Sequence, residues 1–158
     1  MSRPDPSITN LLLERIIGAQ GGLILLRCDE VERLREQLRQ HSIRTGQALY
    51  AWDAESGLHS LRNGELPVPG TRRFQDALRY IVQSAHFGIY FFSGYAQPLD
   101  AAMIPLLRQV AKMHGERVRR VVLLDPATSL PQTVESVELP WNSGKRARPR
   151  LRDGRWVR

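Results

Sequence analysis

Four residues, Arg27-Cys28-Asp29-Glu30, separate an apolar run at 23–26 from a helix-like stretch that begins at Val31. In many nucleotide-binding domains the turn at such a junction is a glycine-rich loop. Its backbone amides approach phosphate, and a lysine reaches the β- and γ-phosphates. No GxxxxGK[ST] occurs here, and Gly18, Gly21 and Gly22 all precede the apolar run. A helix N-terminus attracts anions through its free amides and dipole. Asp29, Glu30 and Glu32 already bring carboxylates to that position. Each carboxylate–phosphate charge pair costs about 4 kcal/mol at ~4 Å and an effective dielectric near 20, and Arg27 offsets only part of it. The turn therefore predicts no bound nucleotide, and no cofactor is expected.

The other reactive residue types form no constellation. Asp100 follows Tyr95 by five residues and suits a helix cap. Asp125 closes "VVLLD", a carboxyl-end position where open α/β sheets bind ligands, and it equally suits the turn before Pro126. His41, His59, His86 and His114 are scattered, with neither a metal-ligand spacing nor a cysteine beside them, and read as solvated or capping. No serine lies in GxSxG. The single Cys28 excludes an internal disulfide and a cysteine-rich zinc site, and its acidic neighbours argue for a structural thiol. The expectation is no catalytic residue, no metal site and no enzyme.

Charge is concentrated at one place. Seven basic residues, Lys145, Arg146, Arg148, Arg150, Arg152, Arg155 and Arg158, stand with the lone acid Asp153, so residues 145–158 carry +6 of the formal +7. The other 144 residues hold 16 basic and 15 acidic side chains. Such a stretch suits nucleic acid, with Lys145, Arg146, Arg148, Arg150, Arg152 and Arg155 on phosphates and a base stacked on Trp156. A solvated tail is the alternative. Arg150-Leu151-Arg152-Asp153 also fits RxxD, which resembles a motif of several cyclic-di-GMP receptors. Asp153-Gly154 between Arg152 and Arg155 would set Leu151 opposite Trp156 in a small basic hairpin; disorder is the other option.

The elements that must position these residues follow from periodicity. Apolar residues at 8, 11, 12, 13, 16 and 17 predict a helix, with Ser7 as its cap. The run at 23–26 predicts a strand buried on both faces. Asp29 with Glu32 is a capping pattern for a helix carrying Val31, Leu34 and Leu38 inward and ending at Gly46. A strand follows at 47–53, and Asn63-Gly64 predicts a hairpin turn between Leu61 and Leu66. Thr71 caps a helix with Phe74, Ala77, Leu78, Ile81 and Val82 on one stripe. A strand at 87–95 precedes a helix capped by Asp100, with Pro105 in its first turn, Met103, Leu106, Leu107, Val110 and Ala111 inward, and Gly115 at its end. Strands at 118–125 and 134–140 complete the set, the last at a sheet edge. Alternating helices and strands predict an α/β three-layer sandwich with a mainly parallel five-stranded sheet over residues 1–140, followed by a basic tail at 141–158. With no signal peptide and no apolar run long enough to cross a membrane, a cytoplasmic protein with no membrane contact is expected.

Taken in order, "GGLILLRCDEVERLREQL", "ALYAWDAESGL", "FGIYFFSGYAQPLD", "VRRVVLLDPATSLP" and "VESVELP" resemble the N-terminal, degenerate P-loop-like domain of a family of AAA ATPases found in cyanobacteria, plastids and other bacteria. The resemblance covers about residues 8–140. It implies a degenerate P-loop NTPase-like fold whose first strand lies beside the fourth and fifth, and it implies no catalytic residue. The family's ATP-hydrolysing module is not found in these 158 residues, and a basic tail begins where the connection to it would run. ATPase activity is therefore not carried over. The expected role is a non-catalytic interaction or regulatory domain that binds a protein partner through its edge strands. A nucleic-acid-binding protein that uses the basic tail is the alternative.

Overall fold

The computed structural model describes residues 6–62, 66–84, 87–96, 99–113, 119–124, 130–140, 150–152 and 155–157. Six strands form one sheet in the order β3-β2-β4-β5-β1-β6. They are β1 (Leu23–Arg27), β2 (Leu49–Asp53), β3 (Gly57–Ser60), β4 (Gly88–Phe92), β5 (Arg119–Leu123) and β6 (Val137–Pro140). All neighbouring pairs are parallel except β2 with β3. β1 lies between β5 and β6, the placement implied for the first, fourth and fifth predicted strands. β1, β4 and β5 are buried almost throughout, as continuous apolar runs in a sheet covered on both faces must be.

The helices divide between the two faces. α1 (Pro6–Ile17) and α2 (Val31–Thr45) bury Leu12, Leu13, Ile16, Leu34 and Leu38 against Ile24, Leu26, Ile89, Phe91 and Val122. α3 (Phe74–Gln83) and α4 (Ile104–Ala111) bury Leu78, Ile81, Leu107 and Val110 against Leu23, Leu25, Phe92, Val121 and Leu123. Odd and even positions of β1 thus serve opposite cores, as the alternation of a strand requires. This is the expected three-layer sandwich. Among the described residues no helix is long and apolar enough to cross a membrane.

Several local expectations are corrected. The sheet has six strands, because β3 pairs antiparallel with β2 across the turn at 54–56. Asp53 Oδ1 accepts from Glu55 N at 3.0 Å and Ser56 N at 2.7 Å, and Gly57 takes φ +74°. A short turn followed by a left-handed glycine is a strong hairpin closure. Asn63-Gly64, given that role from the sequence, lies outside the described residues. Ser7 sits within the first turn of α1. The N-cap position of α2 is Glu30, one residue beyond the expected Asp29, and Glu30 makes no side-chain cap bond. Thr71 does not cap α3, which starts after Arg73. Its hydroxyl instead accepts from Leu58 N at 2.9 Å and donates to Val68 O at 2.6 Å.

Other local signals hold. Gly46 ends α2 in the left-handed region at φ 77° and returns its N–H to Ser42 O. Asp100 accepts from Ala102 N at 3.1 Å, capping the 3-10 turn (Ala101–Met103) that leads into α4. Pro105 falls in the first turn of α4. That helix ends at Ala111, and Gly115 lies outside the described residues. β7 (Arg150–Arg152) and β8 (Arg155–Val157) pair antiparallel with each other, apart from the six-stranded sheet; Asp153-Gly154, the turn expected between them, lies outside the described residues.

Candidate functional site

The carboxyl end of β1 is where an NTPase-like sheet would hold phosphate, and this chain fills it with its own side chains. β6 runs parallel to β1 with Leu25 beside Glu138 and Arg27 beside Pro140. Val137 and Leu139 pack against the core under α1 and α2, so alternation leaves Glu138 on the other side, with Arg27. Arg27 Nε donates to Glu138 Oε1 at 2.7 Å. That bond and the Arg27 charge hold the Glu138 carboxyl below its ordinary range. Cys28, next along the turn, is 1% exposed and packs in the core with Leu26 and Leu34. Glu30 lies 3.6 Å from Arg33, and Glu32 3.7 Å from Arg35. The turn thus presents a cation joined to a carboxylate, a buried thiol and two acids near arginines of α2. It has no free lysine and no run of glycine amides, the groups a phosphate cradle needs.

The end of β4 is likewise closed. Ser93 and Tyr95 are buried, and Phe74 meets the Tyr95 ring edge-on at 5.1 Å. Trp52, Phe74 and Phe92 pack together behind them, with centroids 5.1–5.4 Å apart and the Trp52 and Phe92 rings stacked. Asp125, the acid expected at the end of β5, lies outside the described residues, as do His86 and His114. Among the described residues no three His, Cys, Asp or Glu side chains gather in a group able to hold a metal.

His41, read as solvated or capping, is buried in the last turns of α2. It is 3% exposed, faces Gln47 Oε1 at 3.0 Å and Arg44 at 3.2 Å, and helps fasten the end of α2 to the loop that leads into β2.

Open space lies instead along the β2–β3 hairpin. A depression of about 390 Å³ is lined by Glu55, Ser56, His59, Val68, Pro69 and Arg72. Another of about 300 Å³ is lined by Glu32, Arg35, Glu36, Arg39 and His59. His59 belongs to both. Its Nδ1 lies 3.1 Å from Gly57 O and its Nε2 3.4 Å from Arg35, which also reaches Asp53 at 3.5 Å. Donation from Nδ1 to the carbonyl leaves Nε2 as the acceptor for Arg35. Burial by itself would raise the Asp53 carboxyl. The N–H groups of Ser56 and Glu55 and the charge of Arg35 outweigh it and hold the carboxyl low. The sequence reading missed this cluster, because its members come from α2, β2 and β3, and β3 was not foreseen. The hairpin signal was present in Asp53 and Gly57, four positions apart across the turn.

The two sheet edges differ. On β3, Leu58 N is taken by Thr71 and Leu58 O by Val68 N at 2.7 Å, so the loop at 68–71 covers the strand. β6 pairs with β1 on one side and with no described strand on the other. Of the residues expected to hold nucleic acid, Lys145, Arg146 and Arg148 lie outside the described residues. Arg150, Arg152, Arg155 and Trp156 fall in β7 and β8. Asp153, the acid of the RxxD pattern, is also outside them.

Compared with known families, residues 9–138 match the model described as the SpoVK-like AAA ATPase, N-terminal domain. No curated protein matches the chain, and no solved structure does.

Proposed function

Since the chain belongs to the family of SpoVK-like AAA ATPase N-terminal domains, we propose that it is a non-catalytic accessory domain on an NTPase-like scaffold, and that it docks a protein partner. The observation that carries this reading is the Arg27–Glu138 bond at 2.7 Å, which joins β1 to β6 at the place where a phosphate loop would open. A triphosphate entering there would have to break that pair and face Asp29, Glu30 and Glu32. Partner contact along β6 is favoured, because the opposite edge is closed by Thr71 and Val68 whereas no described strand lies beyond β6, and a strand edge accepts another strand.

Thermal unfolding with and without ATP or GTP and Mg²⁺ tests the first half. No shift is expected, and a clear rise at micromolar nucleotide would sink the reading, since selective binding to the folded state must stabilise it. Affinity capture with the wild-type chain and with Leu139→Pro tests the second half. The substitution removes a backbone donor from β6, and partners that dock on this edge are lost with it. Retention of every partner by a folded Leu139→Pro chain would place docking elsewhere.

A further inference from the structure

On the reading that a partner docks along β6, we infer that the partner supplies a strand in which a lysine or arginine stands between two apolar residues. The cation is set against Glu138, and the apolar pair continues the row of Val137 and Leu139. The alternation of β6 carries this. Val137 and Leu139 are partly buried against the core under α1 and α2. Glu138 stands on the opposite face, joined to Arg27, and its side chain is 57% exposed. A strand added beside β6 runs about 4.8 Å away, with side chains that alternate in step with those of β6. The residue beside Glu138 therefore shares its face, and the residues before and after share the face of Val137 and Leu139. The pattern reads the same in both directions, so it suits a parallel or an antiparallel strand.

Charge selects the middle residue. The Arg27 bond holds the Glu138 carboxyl below its ordinary range, so an anion stands on this edge at neutral pH. Two more exposed acids flank the strand pair in sequence. Glu135 comes two residues before β6 starts, and Asp29 two residues after β1 ends. The base among them, Arg27, is 29% exposed and already joined to Glu138. An opposite charge set directly across stabilises a strand pair, and a like charge destabilises it. The same rule disfavours a second copy of this chain. Antiparallel self-pairing centred on Glu138 sets two carboxylates side by side. Pairing centred on Leu139 sets Glu138 beside Pro140, which has no N–H to give.

Burial selects the outer two residues. Val137 and Leu139 end the apolar row on their face, since no described strand lies beyond β6. An apolar pair laid beside them removes more of that row from water. A one-residue slip would turn the cation onto the apolar face and the apolar residues onto Glu138, so the register of the added strand is specified.

The test uses the full chain and the anisotropy of fluorescein-labelled peptides of about ten residues, with serine and threonine flanks. Their centres are Val-Lys-Val, Val-Gln-Val and Val-Glu-Val, and a fourth carries Val-Val-Lys, a rearrangement of the first. Val-Lys-Val should bind most tightly, about fivefold tighter than Val-Gln-Val at low salt, the upper end for an exposed ion pair. Val-Glu-Val should be weaker again, and the rearranged peptide about threefold weaker than Val-Lys-Val. The preference for lysine should shrink as salt rises. Glu138→Gln should bring the lysine and glutamine peptides within about twofold of each other, and the parent chain decides alone should that variant fail to fold. Absence of binding by any peptide overturns the inference. Equal binding of Val-Lys-Val and Val-Gln-Val overturns it too, as does equal binding of Val-Lys-Val and its rearrangement. Leu139→Pro separates the two levels. Binding without a lysine preference that is lost in Leu139→Pro keeps β6 as the docking edge and overturns the charge pattern. Lysine-preferring binding that survives in a folded Leu139→Pro chain overturns both.

Discussion

Arg119 and Arg120, adjacent on β5, close the ends of two helices on opposite faces of the sheet. Arg119 donates to the carbonyls of Ile81, Val82 and Ser84 at 3.2, 3.1 and 2.7 Å, where α3 stops. Arg120 donates to Ile16, Ile17 and Ala19 at 3.3, 3.1 and 3.1 Å, where α1 stops. The last carbonyls of a helix lack partners within it, and a cation there also meets the negative end of the helix dipole. Burial lowers the pKa of the Arg120 guanidinium, so the carbonyls around it stand in for the lost water. Arg120→Met should cost about 3 kcal/mol and Arg119→Met about 2 kcal/mol, the range for hydrogen bonds to a charged donor. The side chains share no partner, so the double variant should lie within about 0.5 kcal/mol of the sum. Urea unfolding measures all three. Neutral single variants would show that water serves the helix ends equally well.

Thr71 holds the covered edge of the sheet. Its hydroxyl bridges Leu58 N and Val68 O, and its carbonyl accepts from Trp52 Nε1 at 2.7 Å. Thr71→Val keeps the shape and leaves Leu58 N and Val68 O without this partner. The expected loss is about 2 kcal/mol, the cost of stranded buried polar groups, with a rise in self-association as β3 becomes available. Thr71→Ser should retain most of the stability. Denaturant unfolding together with light scattering checks both, and a valine variant as stable and as monodisperse as the serine one would contradict the role.

The layers were legible in the sequence because burial leaves a periodic mark. The runs in β1, β4 and β5 read as buried strands, and the stripes of α3 and α4 gave their inward faces residue by residue. Gly46 and Asp100 were read correctly because their roles depend on neighbours within four positions. Thr71 was misread because threonine before a helix is an ordinary cap, and nothing local shows that Leu58 N competes for its hydroxyl. β3 was missed because Asn63-Gly64 drew the hairpin away from Asp53 and Gly57. Arg27 and Glu138 stand 111 positions apart, and Arg120 reaches carbonyls 101 to 104 positions away. Pairings of that range follow from strand order, and no composition or spacing records them.

Gly22 marks a close approach that only glycine permits. It donates to Ala111 O at 3.3 Å and accepts from Val121 N at 2.7 Å, so the end of α4 rests on the chain just before β1. A β-carbon at this position would overlap the Val110 carbonyl oxygen and lie 3.2 Å from Met113 Cβ. Backbone cannot yield as a side-chain tip can, so Gly22→Ala should destabilise by about 3 kcal/mol, the upper part of the overpacking range. Gly70→Ala is an instructive contrast. Its site is open but left-handed at φ 74°, so only the backbone strain of about 1 kcal/mol applies. Paired thermal and urea unfolding of the two variants should give that order, and an equal cost would argue that α4 shifts freely away from β1.

Asp53 gives stability a defined dependence on acid. Its carboxyl closes the β2–β3 turn through Ser56 N and Glu55 N and lies 3.5 Å from Arg35. Burial opposes the charged form, but these partners prevail and hold its folded pKa below the ordinary carboxylate value of 3.8. An unfolded chain therefore takes up this proton at higher pH than the folded one, and folding stability falls as the medium acidifies. The contribution is complete above 3.8 and disappears as pH drops through the lower folded value. Asp53→Asn keeps an oxygen for the turn amides and removes the charge facing Arg35. The parent should exceed this variant in stability at neutral pH, and the two curves should converge only below 3.8. Urea midpoints collected from neutral pH into the acid range test this. A gap that stays constant through that range, or widens as pH falls, would mean that the Asp53 charge does not hold the hairpin.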